Sequence, residues 1–173
     1  MIVMICAGEC AAAERTPGEY EVKAAYVRNL LNFVEWPKPL FAKADAVTMC
    51  LLGRLPDRNA FDELQGQDAI GKKLTIRHID SIADSGPCQV LFIGPSEERD
   101  LPRIVRFLQG TGTLTIGDTP GYAQNGVIIN FYLDQNKIRF EINAASARKT
   151  GLSISSKLLK LANVVYGLAP SGD

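Results

Sequence analysis

The stretch AVTMCLLG, residues 46–53, is apolar at nearly every position and is bounded by turn residues. A short, almost uninterrupted apolar run is typical of a strand that is covered on both faces, as the strands of parallel sheets are. The stretch CQVLFIG, residues 88–94, indicates a second strand of the same kind. The two strands together predict a central sheet with a protein layer on each side.

The rest of the chain alternates between helical and strand-like segments. Apolar residues recur at helical spacing in four segments, and shorter apolar or alternating runs indicate strands between them. The predicted helices cover residues 19–34, 58–66, 97–110 and 153–167, and further strands cover residues 72–79 and 113–118. Strands separated by helices form βαβ units with right-handed crossovers. We therefore predict an α/β fold over residues 18–168, a single three-layer domain with a largely parallel central sheet and helices on both faces.

A hairpin is predicted near the C-terminal end. The stretch GVIINFYLDQNKIRFEIN, residues 126–143, contains two strands around a turn at Asp134-Gln135-Asn136, which predicts a C-terminal antiparallel hairpin at the edge of the sheet. In its second strand Ile138, Phe140 and Ile142 alternate with polar residues, so that one face is buried and the other presents charge. The polar residues are Lys137, Arg139, Glu141 and Asn143. This face is either a solvated edge strand, the commoner case, or a docking surface for a protein partner.

Composition excludes several classes of protein. The chain has 173 residues, of which 46% are apolar and 22% charged, as in an ordinary globular domain. Its 19 basic and 19 acidic side chains cancel, and no run of Lys and Arg indicates binding to nucleic acid. No apolar run after residue 20 approaches the roughly 20 residues that span a bilayer. We expect no direct membrane insertion of the mature chain.

The first residues resemble the end of a secretory signal peptide. MIVMICAGECAAAER begins with an apolar run and then places Ala11 and Ala13 like an A-x-A cleavage site before Glu14. We predict that residues 1–13 are the remnant of such a signal. The basic region that normally precedes the apolar run is missing, so either the true start lies upstream or this interpretation is wrong.

Export would leave two of the four cysteines in the mature chain. Cys6 and Cys10 would leave with the signal, so that Cys50 and Cys88 remain. In an oxidising compartment such a pair favours a disulfide, which would stabilise the fold by about 4 kcal/mol in the chain-entropy model. The alternative is two buried thiols that act as small apolar side chains. Two cysteines and the single histidine, His78, do not form a zinc-binding pattern.

We find no catalytic or cofactor-binding pattern in the sequence. GQDAIGKK, residues 66–73, resembles a phosphate-binding loop, but it follows a predicted helix and precedes a strand, which is the reverse of the required order. GPSEE, residues 94–98, places Ser96 at a strand-to-helix turn but lacks the glycine that a nucleophile elbow requires. A Ser96–His78 pair also runs against the chain order of the α/β-hydrolases. We expect a protein that is not an enzyme, with no metal and no cofactor.

Four further motifs suggest a family. NFVEWP (32–37), INF (129–131), RFEIN (139–143) and GLSISSKLL (151–159) occur in this order along the chain. In these motifs, and over nearly all of the predicted domain, the sequence resembles the YfiR family of periplasmic proteins. The resemblance implies an exported protein that binds the periplasmic sensory domain of a membrane-bound diguanylate cyclase. It would repress cyclic di-GMP synthesis and thereby restrain biofilm formation. An outer-membrane lipoprotein would be a second partner, and the chain could form a homodimer.

The resemblance also bears on individual residues. Cys50 and Cys88 match a disulfide of the family, whereas a second cysteine pair of the family has no counterpart, because residues 122–132 contain no cysteine. Lys137, Arg139, Glu141 and Asn143 become the predicted partner-binding surface. A Glu141→Arg variant is then expected to keep the fold and to weaken partner binding.

One alternative function remains open. The chain could be a periplasmic small-molecule binding or sensor domain that uses the crevice at the carboxyl ends of the parallel strands. The residues next to this crevice would be Gly53-Arg54 and Gly94-Pro95.

Overall fold

The computed structural model describes residues 18–168, so the predicted signal remnant at residues 1–13 lies outside the described residues. The helices are α1 (Glu19–Leu30), α2 (Lys38–Ala42), α3 (Asn59–Asp62), α4 (Leu101–Phe107), α5 (Ala144–Thr150) and α6 (Ser156–Leu161). The strands are β1 (Val34–Glu35), β2 (Ala46–Leu52), β3 (Asp68–Ala69), β4 (Lys72–Ile79), β5 (Val90–Ile93), β6 (Leu114–Gly117), β7 (Ile129–Asp134), β8 (Lys137–Asn143), β9 (Ser153–Ile154) and β10 (Val164–Tyr166). Short 3₁₀ turns cover Leu31–Phe33, Ile82–Ser85 and Pro95–Glu97.

Eight of the strands form one mixed sheet in the order β10-β8-β7-β6-β5-β2-β4-β3. The five strands from β4 to β7 in this order are parallel to one another. β3 is antiparallel to β4, and β8 is antiparallel to β7. β1 and β9 form a separate small antiparallel sheet. The prediction of a largely parallel α/β fold is confirmed.

Apolar residues fill both faces of the central strands. In β2, Val47, Met49 and Leu51 belong to one buried cluster, whereas Cys50 and Leu52 belong to another. The first cluster includes residues of α1, α3 and α6, and the second includes Leu101, Ile104 and Leu108, from α4 and the residue after it. The sheet therefore has a helical layer on each side, as the uninterrupted apolar run of β2 predicts.

The chain order creates a crevice between β2 and β5. From β2 the chain continues to β4 on one side, and after β4 it returns to β5 on the other side of β2. Connections that leave two adjacent parallel strands in opposite directions leave a crevice at the carboxyl ends of those strands. Glycine is needed there, because a Cβ atom at Gly94 would lie 2.5 Å from the carbonyl oxygen of Arg54.

A buried ion cluster fixes α1 to the end of β6. The ammonium group of Lys23, which is 2% exposed, is 2.7 Å from Asp118 Oδ2 and also pairs with Glu19. Tyr20 OH donates a hydrogen bond of 2.5 Å to the same Asp118 oxygen. Glu19, Tyr20 and Asp118 are themselves buried. One cation therefore offsets two carboxylates that have little access to water.

The hairpin at residues 129–143 is confirmed, but its second strand is not an edge strand. β7 and β8 pair from Ile129↔Ile142 to Asp134↔Lys137, and both loop residues, Gln135 and Asn136, have positive φ values of 48° and 60°. These angles are typical of the two-residue turns that join twisted antiparallel strands. The last three residues of β8, however, pair with β10 on their other side.

The predicted helix over residues 153–167 is therefore wrong over most of its length. The chain forms β9, the short helix α6 and then β10, and of the predicted apolar stripe only Leu158 is fully buried, while Leu161 is 64% exposed. Val164, Val165 and Tyr166 are β-branched or aromatic residues, which suit a strand. Their backbone groups pair with those of residues 141–143 at the edge of β8. This tertiary pairing outweighs the helix that the apolar spacing favours.

Between residues 18 and 168 no helix has both the length and the apolar character that crossing a bilayer would require.

Candidate functional site

The four residues of the predicted docking surface do not share an exposed face. Lys137 is exposed and Arg139 is half-buried, with its Nε atom 3.6 Å from Asp134 Oδ2. Glu141 and Asn143 are buried, with exposed fractions of 8% and 9%. The alternation of β8 would expose all four residues only if nothing packed over this face, but the loop between β6 and β7 and the side chain of Tyr166 on β10 cover its last residues. The expectation of an exposed polar face is thus wrong for Glu141 and Asn143.

Glu141 is instead the centre of a hydrogen-bond network. Asn130 Nδ2 donates to Glu141 Oε1 at 3.1 Å, and Tyr166 OH donates to Glu141 Oε2 at 3.0 Å. Gln124 Nε2 in turn donates to Tyr166 OH at 2.7 Å. Burial, followed by the hydrogen bond to Glu141, raises the pKa of Tyr166 above its ordinary value. The network joins β7, β8 and β10 to the loop that contains Gln124.

Asn143 also has a structural role, because it caps α5. Its Oδ1 atom accepts a hydrogen bond of 2.9 Å from Ser146 N, and its Nδ2 atom donates to the carbonyl oxygen of Ala123 at 2.7 Å.

An arginine at position 141 would place a bulky cation in the same interior. We therefore expect Glu141→Arg to disturb the fold, contrary to the expectation from the sequence, and that variant is unsuitable as a test of docking.

The exposed part of the predicted surface is the hairpin tip. Lys137 and Arg139 lie there on β8, and on the same face of the hairpin they are opposite Asp134 and Tyr132 of β7. We call Tyr132, Lys137 and Arg139 the tip surface. It combines two cations with a partly exposed aromatic side chain, which suits a protein partner with acidic groups at its rim. Binding at this surface stays a prediction.

The predicted disulfide is present. Cys50 and Cys88 are bonded, with their Cα atoms 5.8 Å apart, and both residues are buried. β2 and β5 are neighbours in the sheet, with Cys50 opposite Leu91, and Cys88 lies just before β5. The bond thus connects the two strands that flank the crevice.

The crevice at the carboxyl ends of β2 and β5 forms a cleft of about 390 Å³. It is lined by two arginines, a histidine and two carboxylates, namely Arg54, Arg58, His78, Asp80 and Glu97. The loops on its two sides touch, since Arg54 N donates to Ser96 Oγ at 2.9 Å. Positive and negative groups therefore line one small polar cleft.

Ser96 and His78 both line this cleft but do not form a nucleophile–base pair. Ser96 Oγ donates to Glu97 Oε1 at 2.8 Å, whereas His78 Nε2 lies 2.6 Å from Asp62 Oδ1. Each of these side chains is thus held by a carboxylate, and no hydrogen bond joins Ser96 to His78. In the described part of the chain no cluster of three or more His, Cys, Asp or Glu residues could hold a metal ion.

Tyr122 forms a hydrogen bond to the backbone at the crevice. Its ionisation is expected to make the stability of the fold depend on pH. Its OH group donates to the carbonyl oxygen of Gly94 at 2.8 Å, and burial raises the pKa of this phenol to about 12 from the ordinary 10.0. A pKa that is higher in the folded state means that the protonated phenol stabilises the fold fully below about pH 10, and that this contribution is lost as the pH rises towards 12.

We therefore expect the wild type to lose about 1 kcal/mol more stability than Tyr122→Phe between about pH 8 and pH 11. Urea unfolding of both proteins at the two pH values measures the difference. Phenylalanine keeps the ring but cannot ionise, which makes it the matched control for other groups that titrate in this range. Equal losses in the two proteins would show that Tyr122 ionises normally.

Comparison with known proteins identifies the family. A family model described as YfiR/HmsC-like matches residues 20–163, which is most of the chain. The chain belongs to the YfiR/HmsC-like family. The match includes the disulfide, the crevice and the tip surface, and it ends one residue before β10.

Two solved structures resemble this YfiR/HmsC-like chain in fold. A conserved domain protein from Vibrio cholerae O1 biovar eltor str. N16961 has 13% sequence identity and a TM-score of 0.55 over 85% of this chain and 60% of that chain. The ABC domain in complex with L-Trp from Streptococcus pneumonia has 11% identity and a TM-score of 0.51 over 80% of this chain and 59% of that chain. This chain thus spans about three fifths of each structure, and the likeness concerns the fold alone.

Sequence analysis did not identify two residues of the hydrogen-bond network around Glu141. Gln124 and Tyr166 hold the buried Glu141, yet neither stands in a recognisable motif. Gln124 lies in a loop, and Tyr166 lies in a segment whose apolar spacing favours a helix. The strand-like composition of the VVY sequence at residues 164–166 is the one signal that could have indicated β10.

Proposed function

We propose that this protein is a periplasmic regulatory protein that binds the periplasmic sensory domain of an inner-membrane diguanylate cyclase and represses cyclic di-GMP synthesis. The observation that carries the proposal is the YfiR/HmsC-like match over residues 20–163. Membership of this family supports a periplasmic regulator in cyclic di-GMP signalling. On this basis we propose both the repressing activity and the cyclase as the partner.

The disulfide is consistent with a periplasmic location. Disulfides form and persist in oxidising compartments, and the bacterial periplasm is one of them. The Cys50–Cys88 bond lies in the core rather than at the surface, so its role here is to hold the fold. A rigid fold suits a protein whose activity is to present a fixed surface to another protein.

Repression of a cyclase by such a binder follows from linkage. A bound protein shifts the equilibrium between two conformations of the cyclase only by the difference between its affinities for them. Repression therefore requires tighter binding to the inactive conformation of the sensory domain. An outer-membrane lipoprotein that competes for the same surface would release the cyclase, and a homodimer would present two such surfaces.

We assign cyclase binding to the tip surface. Its two cations are expected to accelerate association with an acidic patch on the sensory domain, and Tyr132, opposite Arg139, adds an aromatic contact. Its residues stand at the end of a paired hairpin, so their positions are fixed by the register of β7 and β8.

The tip surface can be tested by charge reversal. We expect Lys137→Glu combined with Arg139→Glu to slow association with the purified sensory domain about tenfold, because both steering charges change sign. Surface plasmon resonance at two salt concentrations measures the rate and its salt dependence. Both residues are at least partly exposed, so circular dichroism should show an unchanged fold.

The matched control is Lys73→Glu. Lys73 lies on β4 near the opposite edge of the sheet, where its side chain is 63% exposed beside Asp68. It reverses one surface charge, where the double variant reverses two, and should leave association unaffected. If the double variant associates as fast as the wild type, the tip surface is not the docking site. If the control slows association equally, the slowing comes from the change in net charge and not from the loss of a docking contact.

The small-molecule alternative has one observation in its favour. The cleft at the carboxyl ends of β2 and β5 occupies the place where open α/β sheets bind ligands. Its lining of opposed charges, with the loop contact between Arg54 and Ser96, would accept only a compact polar molecule. Differential scanning fluorimetry with polar metabolites tests this alternative.

A further inference from the structure

A second cavity lies between α4 and α5, and Thr115 of β6 and Asn143 of β8 contribute to its lining. It measures about 270 Å³ and is closed on a third side by the loop between β6 and β7. Its floor includes Val105 and Leu108 of the α4 segment. Gly126 lets the loop press against this helix, because a Cβ atom there would lie 2.7 Å from Val105 Cγ1.

The walls of this cavity are held by hydrogen bonds within the protein. Asn143 is fixed at both ends of its amide, by Ala123 and by Ser146. Thr115 Oγ1 accepts from Ile128 N at 2.9 Å, and Asn125 Nδ2 donates to the carbonyl oxygen of Gly121 at 2.8 Å. A cavity whose polar walls are already ordered costs a ligand little reorganisation.

The charge in the cavity has one sign. Among the described residues that line it, Lys149 is the only charged one and none is Asp or Glu. Lys149 is exposed and lies in the last turn of α5, so its ammonium group stands at the rim. The side chains of the remaining polar lining are amides and hydroxyls, and Val105 and Leu108 provide an apolar floor. This combination fits a small molecule with one anionic end and a compact apolar body.

We propose that the cavity between α4 and α5 binds a small organic monocarboxylate, with its carboxylate at Lys149 and its apolar body against Val105 and Leu108. This inference rests on the proposed regulatory function, for which the carboxylate would be the input signal. The amides of Gln109 and Gln124 line the same cavity and can orient polar substituents of the ligand.

Hydrogen bonds connect the lining of the cavity to β8 and β10. Gln124, one of its lining residues, donates to Tyr166 OH at 2.7 Å, and Tyr166 OH donates to Glu141 at 3.0 Å. Asn143, another lining residue, is the last residue of β8. On the same side, Arg148 Nη2 donates to the carbonyl oxygen of Gly167 at 2.7 Å. A ligand that orders Gln124 therefore stabilises β10 against β8.

Isothermal titration calorimetry of the full chain tests the site with phenylacetate and 4-methylpentanoate as probes. Their uncharged amides serve as matched ligands. We expect at least one carboxylate to bind and its amide to bind about tenfold more weakly, the change produced by the loss of one charge-assisted hydrogen bond. Lys149→Met should weaken the carboxylate about tenfold and leave the amide unchanged. Lys157→Met, an exposed change on α6, should alter neither.

Hydrogen exchange with and without the bound probe tests the connection to β10. Slower exchange at Glu141 and Tyr166, lost in Gln124→Met, is the expected result. The proposed carboxylate site would be overturned if neither carboxylate binds, or if wild type and Lys149→Met bind equally well. The proposed connection to β10 would be overturned if a probe binds without slowing exchange. Capture of the cyclase sensory domain, measured on the same preparation, separates the two proposals, since it reports the regulatory function whether or not a probe binds.

Discussion

Reduction of the Cys50–Cys88 disulfide is expected to lower the free energy of unfolding by about 4 kcal/mol. The bond joins residues 38 positions apart, and opening a loop of that length restores a large conformational freedom to the unfolded chain. Because the stability of a domain of this size is about 5–15 kcal/mol, the loss removes a large part of the total. Urea unfolding with and without dithiothreitol measures it.

A Cys50→Ala, Cys88→Ala variant separates the cross-link from packing. Its unfolding should not respond to dithiothreitol, and it should be less stable than the reduced wild type, because both sulfur atoms lie in the core and their removal leaves small cavities. If the reductant leaves the unfolding midpoint of the wild type unchanged, the two residues act as buried thiols and the disulfide contributes nothing to stability.

Lys23→Met is expected to cost about 3–5 kcal/mol, the second large effect. The substitution keeps the length of the side chain but removes the cation that Glu19 and Asp118 share in the interior. Two carboxylates near each other without that cation have to remain charged at the cost of repulsion and desolvation, or take up protons. Urea unfolding at neutral pH measures the loss of stability.

Lys73→Met provides the comparison for that experiment. Lys73 is 2.9 Å from Asp68, but the two side chains are 63% and 76% exposed. Removal of an exposed pair should cost less than about 1 kcal/mol. A similar cost for the two variants would mean that water reaches Lys23 and that the cluster at the start of α1 is not a fixed part of the core.

Local patterns in the sequence predicted the central architecture correctly. The apolar runs of β2 and β5 indicated strands covered on both faces, since strands of parallel sheets have little polar surface to place in water. The turn at Asp134-Gln135-Asn136 indicated the hairpin, and Asn is among the residues that adopt positive φ most readily, as Asn136 does.

The candidate site was less accessible to sequence reasoning. Alternation along β8 correctly assigned Phe140 and Ile142 to the core, but it could not reveal that the other face is covered as well. That cover comes from the loop between β6 and β7, which holds Asn143, and from Tyr166 of β10, more than 20 residues after β8. Glu141 and Tyr166 meet only because β10 pairs with β8. The exposure of a side chain depends on what packs over its face of the sheet, and neither this loop contact nor β10 was predicted.

The disulfide also bears on how the fold would respond to proteolysis. The segment between the two cysteines begins in β2, forms the flank that consists of α3, β3 and β4, and ends just before β5. A single backbone cut anywhere in this excursion would leave both pieces covalently attached to each other and anchored by two central strands. The flank can therefore survive a nick that would separate the fragments if it fell in α1 or in the hairpin.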